Sequence, residues 1–314
     1  MVNIFYKDND RILLHQSTDG LTQIPKNSIV WIDLIQPSYE ERIKTEELCD
    51  ITLQTRQEIE EIEVSSRYFE TNELIVNNSH FLIPYDSEFH REPVSFIIKN
   101  NILVSYRNAE LRTFAEMYKR MEFTTRISDA FHTFLTILEI RIDLDADLIE
   151  SIVKEIASIS STLIQNQISE ELLVQISKYQ EDTMLIRENI VDKQRVLSSI
   201  LKSDSFPVEL HNKVRIMLKD IGSLLDYTAF SFQRLDYLQN TVLGLINVEQ
   251  NKIIKIFTVA TVIFMPPTLI ASIYGMNFHF IPEIKWEWGY PFAIFLMILS
   301  VSITLFLFKK RRWL

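Results

Sequence analysis

The sequence predicts an α+β soluble domain rich in long helices, followed by two C-terminal helices that span a membrane. Three observations carry this prediction. Residues 256–273 form an uncharged run of 18 residues and residues 290–308 a second of 19, each near the roughly 20 residues that cross a bilayer core as a helix. The chain has five Gly in 314 residues, and no Pro between Val208 and Pro266, as long helices require. The charge is also divided, because residues 1–250 hold 25 basic and 40 acidic side chains while residues 251–314 hold seven and two.

Residues 1–127 read as a mixed α/β domain. Val30–Leu34 is a short strand ending before Pro37, and Val94–Lys99 and Ile102–Tyr106 flank Asn100-Asn101 as a hairpin. Pro37–Glu41 starts a helix, and Glu58–Phe69 is a second helix or turn. Residues 128–206 follow with helical periodicity, and a break at Gln165–Ser169 makes them an antiparallel pair. From residue 207 to 252 a stalk helix is expected to run unbroken into the first span. Its apolar residues Val214, Leu218, Ile221, Leu225, Phe232, Leu235, Val242 and Leu245 step by four and three, skipping Thr228 and Gln239, as along a coiled-coil seam.

The first span is placed at 253–276, the connecting loop at 277–289, the second span at 290–308 and a basic tail at 309–314. Lys252 and Lys255 precede the first span and Lys309, Lys310, Arg311 and Arg312 follow the second, whereas the loop has two acids and one Lys. The excess of basic residues at both outer flanks puts both termini in the cytoplasm. Trp286, Trp288, Tyr290 and Trp313 fall at the interfaces, where aromatic belts form.

Several function classes are disfavoured. The acidic soluble part lacks the basic footprint of a nucleic-acid binder. Cys49 is the lone cysteine, so no disulfide framework or thiolate metal site is expected, and the N-terminus lacks the pattern of a signal peptide. There is no Gly-rich phosphate loop or nucleophile elbow, which argues against an enzyme and against an organic cofactor.

The polar residues of the first span are ordered. Asn251, Ile254, Thr258, Thr261, Met265, Thr268 and Ser272 fall on one track with steps of 3, 4, 3, 4, 3 and 4. Such a stripe serves either helix packing or a polar path, and a path requires several copies around an axis. Asn251 would form a polar ring at the inner end, and Ile254 and Met265 apolar constrictions that gate by dewetting. Just past the span, Asn277 offers an uncharged amide that faces an ion without a tight charge pair. Pro266 and Pro267 should bend the helix.

Tyr274-Gly275-Met276-Asn277-Phe278, with Met265-Pro266-Pro267-Thr268 before it and Lys285-Trp286-Glu287-Trp288-Gly289-Tyr290-Pro291 after it, resembles the CorA-type divalent-cation channels. The hallmark of that family is Gly-Met-Asn at the pore mouth. Residues 247–257 and the Pro-Pro pair look most like its enterobacterial-type branch. The resemblance implies a funnel-like homopentamer in the inner membrane, with the first span lining the channel. It makes Gly275, Met276 and Asn277 the selectivity filter and Mg2+ the cargo, with Co2+ and Ni2+ also carried. Lys309 to Arg312 become a basic collar that acts as a barrier to cations. Magnesium bound between soluble domains would also hold the pore shut, and Asp86 and Asp220 are the candidate ligands. His279 departs from the Glu that many relatives place there. A zinc or other divalent transporter is the nearest alternative, and a two-span sensor signalling through its coiled coil is one from another class.

Overall fold

The computed structural model describes residues 1–9, 11–61, 67–85, 88–123, 129–164, 170–277 and 282–311. The helix break expected at 165–169, the candidate ligand Asp86, His279 and Arg312 lie outside them. The chain divides into two compact units, Met1–Gln239 and Asn240–Leu314.

The first unit is built on a seven-stranded sheet, β1 (Val2–Asp8), β2 (Arg11–His15), β3 (Ile29–Ile35), β4 (Tyr68–Glu70), β5 (Leu74–Tyr85), β6 (Glu88–Lys99) and β7 (Ile102–Arg107), in the order β2-β1-β3-β7-β6-β5-β4. Every pair is antiparallel except β3 and β7, whose parallel register sets Asp33 against Ser105. Asn100 and Asn101 turn the β6–β7 hairpin at φ of 51° and 60°, the left-handed pair that a two-residue hairpin loop requires and that Asn tolerates. The segment read as helix or turn from Glu58 to Phe69 instead ends in strand β4, because Phe69 pairs with Val76 of β5.

Period-two alternation along β3 splits the core between the two faces of the sheet. Ile32 and Leu34 join Val2, Ile4, Val104, Cys49 and Leu53 on one face, under helix α2 (Tyr39–Cys49), which comes after the short α1 (Gly20–Gln23). Ser38 and Glu41 close a reciprocal capping box at the start of α2. On the other face Trp31 stacks on Phe5 with ring centroids 4.6 Å apart, and Phe81, Phe96, Phe114 and Phe134 continue the layer. Buried among them, Asp33 accepts from Ser105 at 2.6 Å, from Arg107 at 2.8 Å and from Tyr118, so its charge is compensated inside the core.

After the short α3 (Arg56–Glu61), helices α4 (Arg112–Phe123), α5 (Ala130–Ile164) and α6 (Glu170–Ile200) complete the sheet's helical cover. The pairings of Glu155 with Tyr179 and of Asp145 with Asn189 run in opposite chain directions, so α5 and α6 are antiparallel. Asp145 is buried and bound by Arg141, by Asn189 at 3.1 Å and by Lys193 at 3.1 Å. Arg141 and Lys193 also donate to the backbone carbonyls of Leu82 and His80, which fastens both helices to β5.

Helix α7 spans His211–Tyr274, and both Pro266 and Pro267 lie inside it. Within the first unit its buried side chains are Val214, Met217, Ile221, Thr228, Ser231, Leu235 and Leu238. In the single chain this covers Val214, Ile221 and Leu235 of the expected seam and leaves Leu218, Leu225 and Phe232 partly or fully uncovered. The buried track passes through Thr228, one of the two supposed skips, and leaves Phe232 exposed. The reason is the partner: this face packs on α5 and α6 of the same chain, with Thr228 accepting from Arg187 at 3.2 Å and Arg234 reaching Ser160 at 3.3 Å. A heptad spacing reports a helix seam but not whose helix fills it.

The second unit holds the last part of α7, a 3-10 turn at Pro282–Lys285 and helix α8 (Gly289–Lys310). The apolar stretches of α7 and α8 are long enough to cross a bilayer, and almost none of either is buried within the chain. A helix that is apolar all round and uncovered by its own chain is suited to lipid or to other copies of itself.

Candidate functional site

Both ends of the connecting segment in the second unit are fixed by backbone contacts. Helix α7 stops with Gly275 N–H donating to Ala271 O at 2.9 Å and Met276 N–H to Ile273 O at 3.3 Å, a little short of the expected end at 276. Gly275 is a turn residue at the helix end. Its backbone is not in the left-handed region, however. What restricts the position is space, since a Cβ there would lie 3.1 Å from the Ala271 carbonyl oxygen. Gly289 is more tightly confined, because a Cβ would fall 2.1 Å from the Glu283 carbonyl oxygen where the 3-10 turn meets α8. Met276 and Asn277 follow the helix end and are exposed.

The track Asn251, Ile254, Thr258, Thr261, Met265, Thr268 and Ser272 lies on α7, and every one of its side chains is exposed in the single chain. Thr261 donates its hydroxyl to Phe257 O at 2.9 Å and Thr268 to Phe264 O at 2.7 Å. With the proton turned back onto the helix, each hydroxyl oxygen presents its lone pairs outward. Thr261 and Thr268 therefore present oxygen acceptors on one side of α7. Ser300, Ser302 and Thr304 of α8 make the same kind of backbone bond, which satisfies a polar group within an apolar helix. Lys309 and Lys310 close α8 and Arg311 follows it, where cations meet the negative end of the helix dipole.

In the first unit Asp220 lies on the exposed side of α7 near Asp143 of α5. Partial burial raises the carboxyl pKa of Asp143, and Glu139, Asp220 and Asp147 raise it further, against the opposing pull of Arg120. Sequence reading missed Glu139, Asp143 and Asp147, although their spacing of four on α5 already puts them on one helix face. Arg120 and Lys213 stand among these acids, Lys213 at 2.9 Å from Glu139. Among the described residues no group of three or more His, Cys, Asp or Glu side chains is arranged to hold a metal ion.

The chain matches the family model described as "CorA-like Mg2+ transporter protein" over residues 26–310. It is similar to proteins named "Magnesium transport protein CorA" from Wolinella succinogenes, at 39% identity, and from Escherichia coli, at 34%, each match covering 100% of both chains. Its fold is similar to the complete structure of the CorA magnesium transporter from Methanocaldococcus jannaschii, with a TM-score of 0.85 and 18% identity over 100% of this chain and 99% of that one.

Proposed function

The chain belongs to the CorA-like Mg2+ transporter family, and on that premise we propose that it carries magnesium across the cell membrane through a path lined by α7. The observation that carries this reading is the exposed track from Asn251 to Ser272 leading to Asn277. A single helix encloses no path, so several copies must gather around an axis, and a symmetric ring is the expected assembly. Five copies is the number the family resemblance implies.

Magnesium prefers octahedral oxygen ligation and sheds water reluctantly. A ring of Asn277 amide oxygens would accept hydrogen bonds from the ion's hydration shell, leaving the shell in place. A ring of carboxylates would hold the ion harder and slow its exit, and conduction needs weak binding at several sites. Below that ring, Ser272, Thr268, Thr261 and Thr258 would pass the hydrated ion between oxygen acceptors. Ile254 and Met265 would be apolar constrictions, and Asn251 the inner polar ring. With both termini in the cytoplasm, a membrane potential negative inside draws a divalent ion inward by about 4.6 kcal/mol per 100 mV. That suffices for passive uptake without an energy-coupling site.

Closure by intracellular magnesium would rest on carboxylates that different copies bring together. The mutual repulsion between Asp143, Asp220 and their neighbours supports placing that response on the α5–α7 face. A cation there would relieve the repulsion and favour one arrangement of subunits.

The test is flux into liposomes holding the purified full-length protein and a magnesium-sensitive dye. A potential negative inside should drive Mg2+ entry, with Co2+ and Ni2+ competing. Zinc entry without magnesium entry would favour the related zinc transporter, and no entry of any divalent ion would favour a sensor.

A further inference from the structure

The first unit carries a concentration of positive charge that ion conduction does not use. A cavity of about 480 Å3 opens between β5, β6 and α6, and Arg67, Arg91, Arg187 and Arg195 line it. A second, of about 460 Å3, adjoins it, shares Arg67 and Arg195, and adds Lys202, Ser198 and Ser199. Five cationic side chains thus line these cavities, although acids outnumber bases by 40 to 25 in residues 1–250.

Among the described residues two carboxylates line these cavities, Asp192 and Glu188, and each lies within ion-pair distance of an arginine. Asp192 sits 2.8 Å from Arg67, and Glu188 pairs with Arg91. Arg187, Arg195 and Lys202 have no ion-pair partner among the described residues. Arg187 is nevertheless fixed in place, donating to Leu225 O at 3.0 Å. The Nε of Arg67 is buried without an acceptor, and the two carboxylate oxygens of Asp192 beside it are buried without a hydrogen-bond donor, a state that ordinarily costs free energy. His80, at the cavity wall, stays neutral near pH 7, because burial and then the neighbouring Arg67 push its pKa down to about 4. Guanidinium groups fit phosphate oxygens in a two-pronged geometry that carboxylate-paired surface lysines do not reproduce. Two neighbouring cavities that share lining residues, each within the usual size of a small-molecule site, about 300–1,000 Å3, exceed what one inorganic phosphate would fill.

We propose that the groove lined by Arg67, Arg91, Arg187, Arg195 and Lys202 binds a small anion bearing a di- or triphosphate group. The site lies entirely within the first unit and is independent of the ion path. Occupancy would bridge α6 to the β4–β5 edge, since Arg67 immediately precedes β4, and would stiffen that junction.

Isothermal titration calorimetry on the full-length protein in detergent, with potassium pyrophosphate in magnesium-free buffer, tests this. Saturable binding is expected, weakened about tenfold or more by Arg195→Glu and by Lys202→Gln, both at exposed positions that leave the fold intact. Lys154→Glu, which alters an exposed cation paired with Glu150 and outside both cavities, should leave binding unchanged. Absence of saturable binding, or an equal loss in all three variants, would overturn the site. Inorganic phosphate binding as tightly as pyrophosphate would overturn the assignment of a di- or triphosphate.

Discussion

Thr261 and Thr268 stand seven residues apart on α7, and each donates its hydroxyl to the carbonyl four residues before it, at 2.9 and 2.7 Å. The shared geometry fixes both oxygens as outward acceptors on one face of the helix. Replacing either Thr by the isosteric Val removes an acceptor without changing volume. Thr261→Val and Thr268→Val should each lower magnesium flux about tenfold, while Thr→Ser at the same positions keeps it. Thermal stability should stay within about 0.5 kcal/mol, as for other exposed substitutions. A flux unchanged by both Val variants would mean that the stripe serves helix packing alone.

The two glycines of the connecting segment should respond differently. Gly289→Ala forces a Cβ to within 2.1 Å of the Glu283 carbonyl and should lower the melting stability by about 1–3 kcal/mol. Gly275→Ala meets its nearest carbonyl at 3.1 Å, which a shift of a few tenths of an ångström relieves, and should lower melting stability by much less than Gly289→Ala while reducing uptake, since it alters the helix end beside Asn277. Similar melting losses in the two variants would contradict this distinction.

Burial pushes the Lys193 ammonium down to about 8 even though Asp145 opposes the shift. The folded pKa lies below the ordinary lysine value of 10.5, so between pH 8 and 10.5 the unfolded chain holds more protons at this site. The contribution of Lys193 to stability therefore rises with pH across that window and is at its lowest below it. Lys193→Met removes the titration, so the wild-type melting temperature should climb relative to that of the variant from pH 8 to 10. Asp145→Asn leaves Arg141 and Lys193 buried without their carboxylate and should cost more, about 3–5 kcal/mol. Melting curves of the full chain across pH decide both points.

Proposed regulation predicts that neutralising the repelling acids weakens the response to magnesium. Asp143→Asn combined with Asp220→Asn should raise, several-fold, the magnesium concentration that protects the chain from proteolysis or halves its flux. An unchanged response would remove the α5–α7 face from regulation.

Much of the architecture was legible because its signals are local. Uncharged runs of bilayer length, the Asn-Asn turn and the Pro-free stretch each imply one backbone outcome. Strands β1, β2 and β5 were harder to read. Asn77, Asn78 and Ser79 lie buried in the middle of β5, where polar side chains interrupt the alternation that marks a strand. Helix α4 also escaped notice, although Phe114, Met117 and Met121 are spaced to share one buried face. The α7 seam was legible as a seam, but its partner was not, because packing on α5 and α6 depends on tertiary contacts that spacing does not encode. The candidate ion path was readable from residue order along one helix. The acids of α5 and the arginine groove of α6 were not, because separate elements bring their side chains together.

Magnesium flux through Asn277→Ala, compared with wild type in the same liposomes, tests the central proposal most directly. Asn277 is exposed just beyond the end of α7, so the substitution leaves the fold undisturbed. Assembly, checked by size-exclusion chromatography, should match wild type, while potential-driven Mg2+ entry falls to the level of empty liposomes. An assembled Asn277→Ala protein that conducts magnesium at the wild-type rate, with the same preference over other divalent ions, would contradict it.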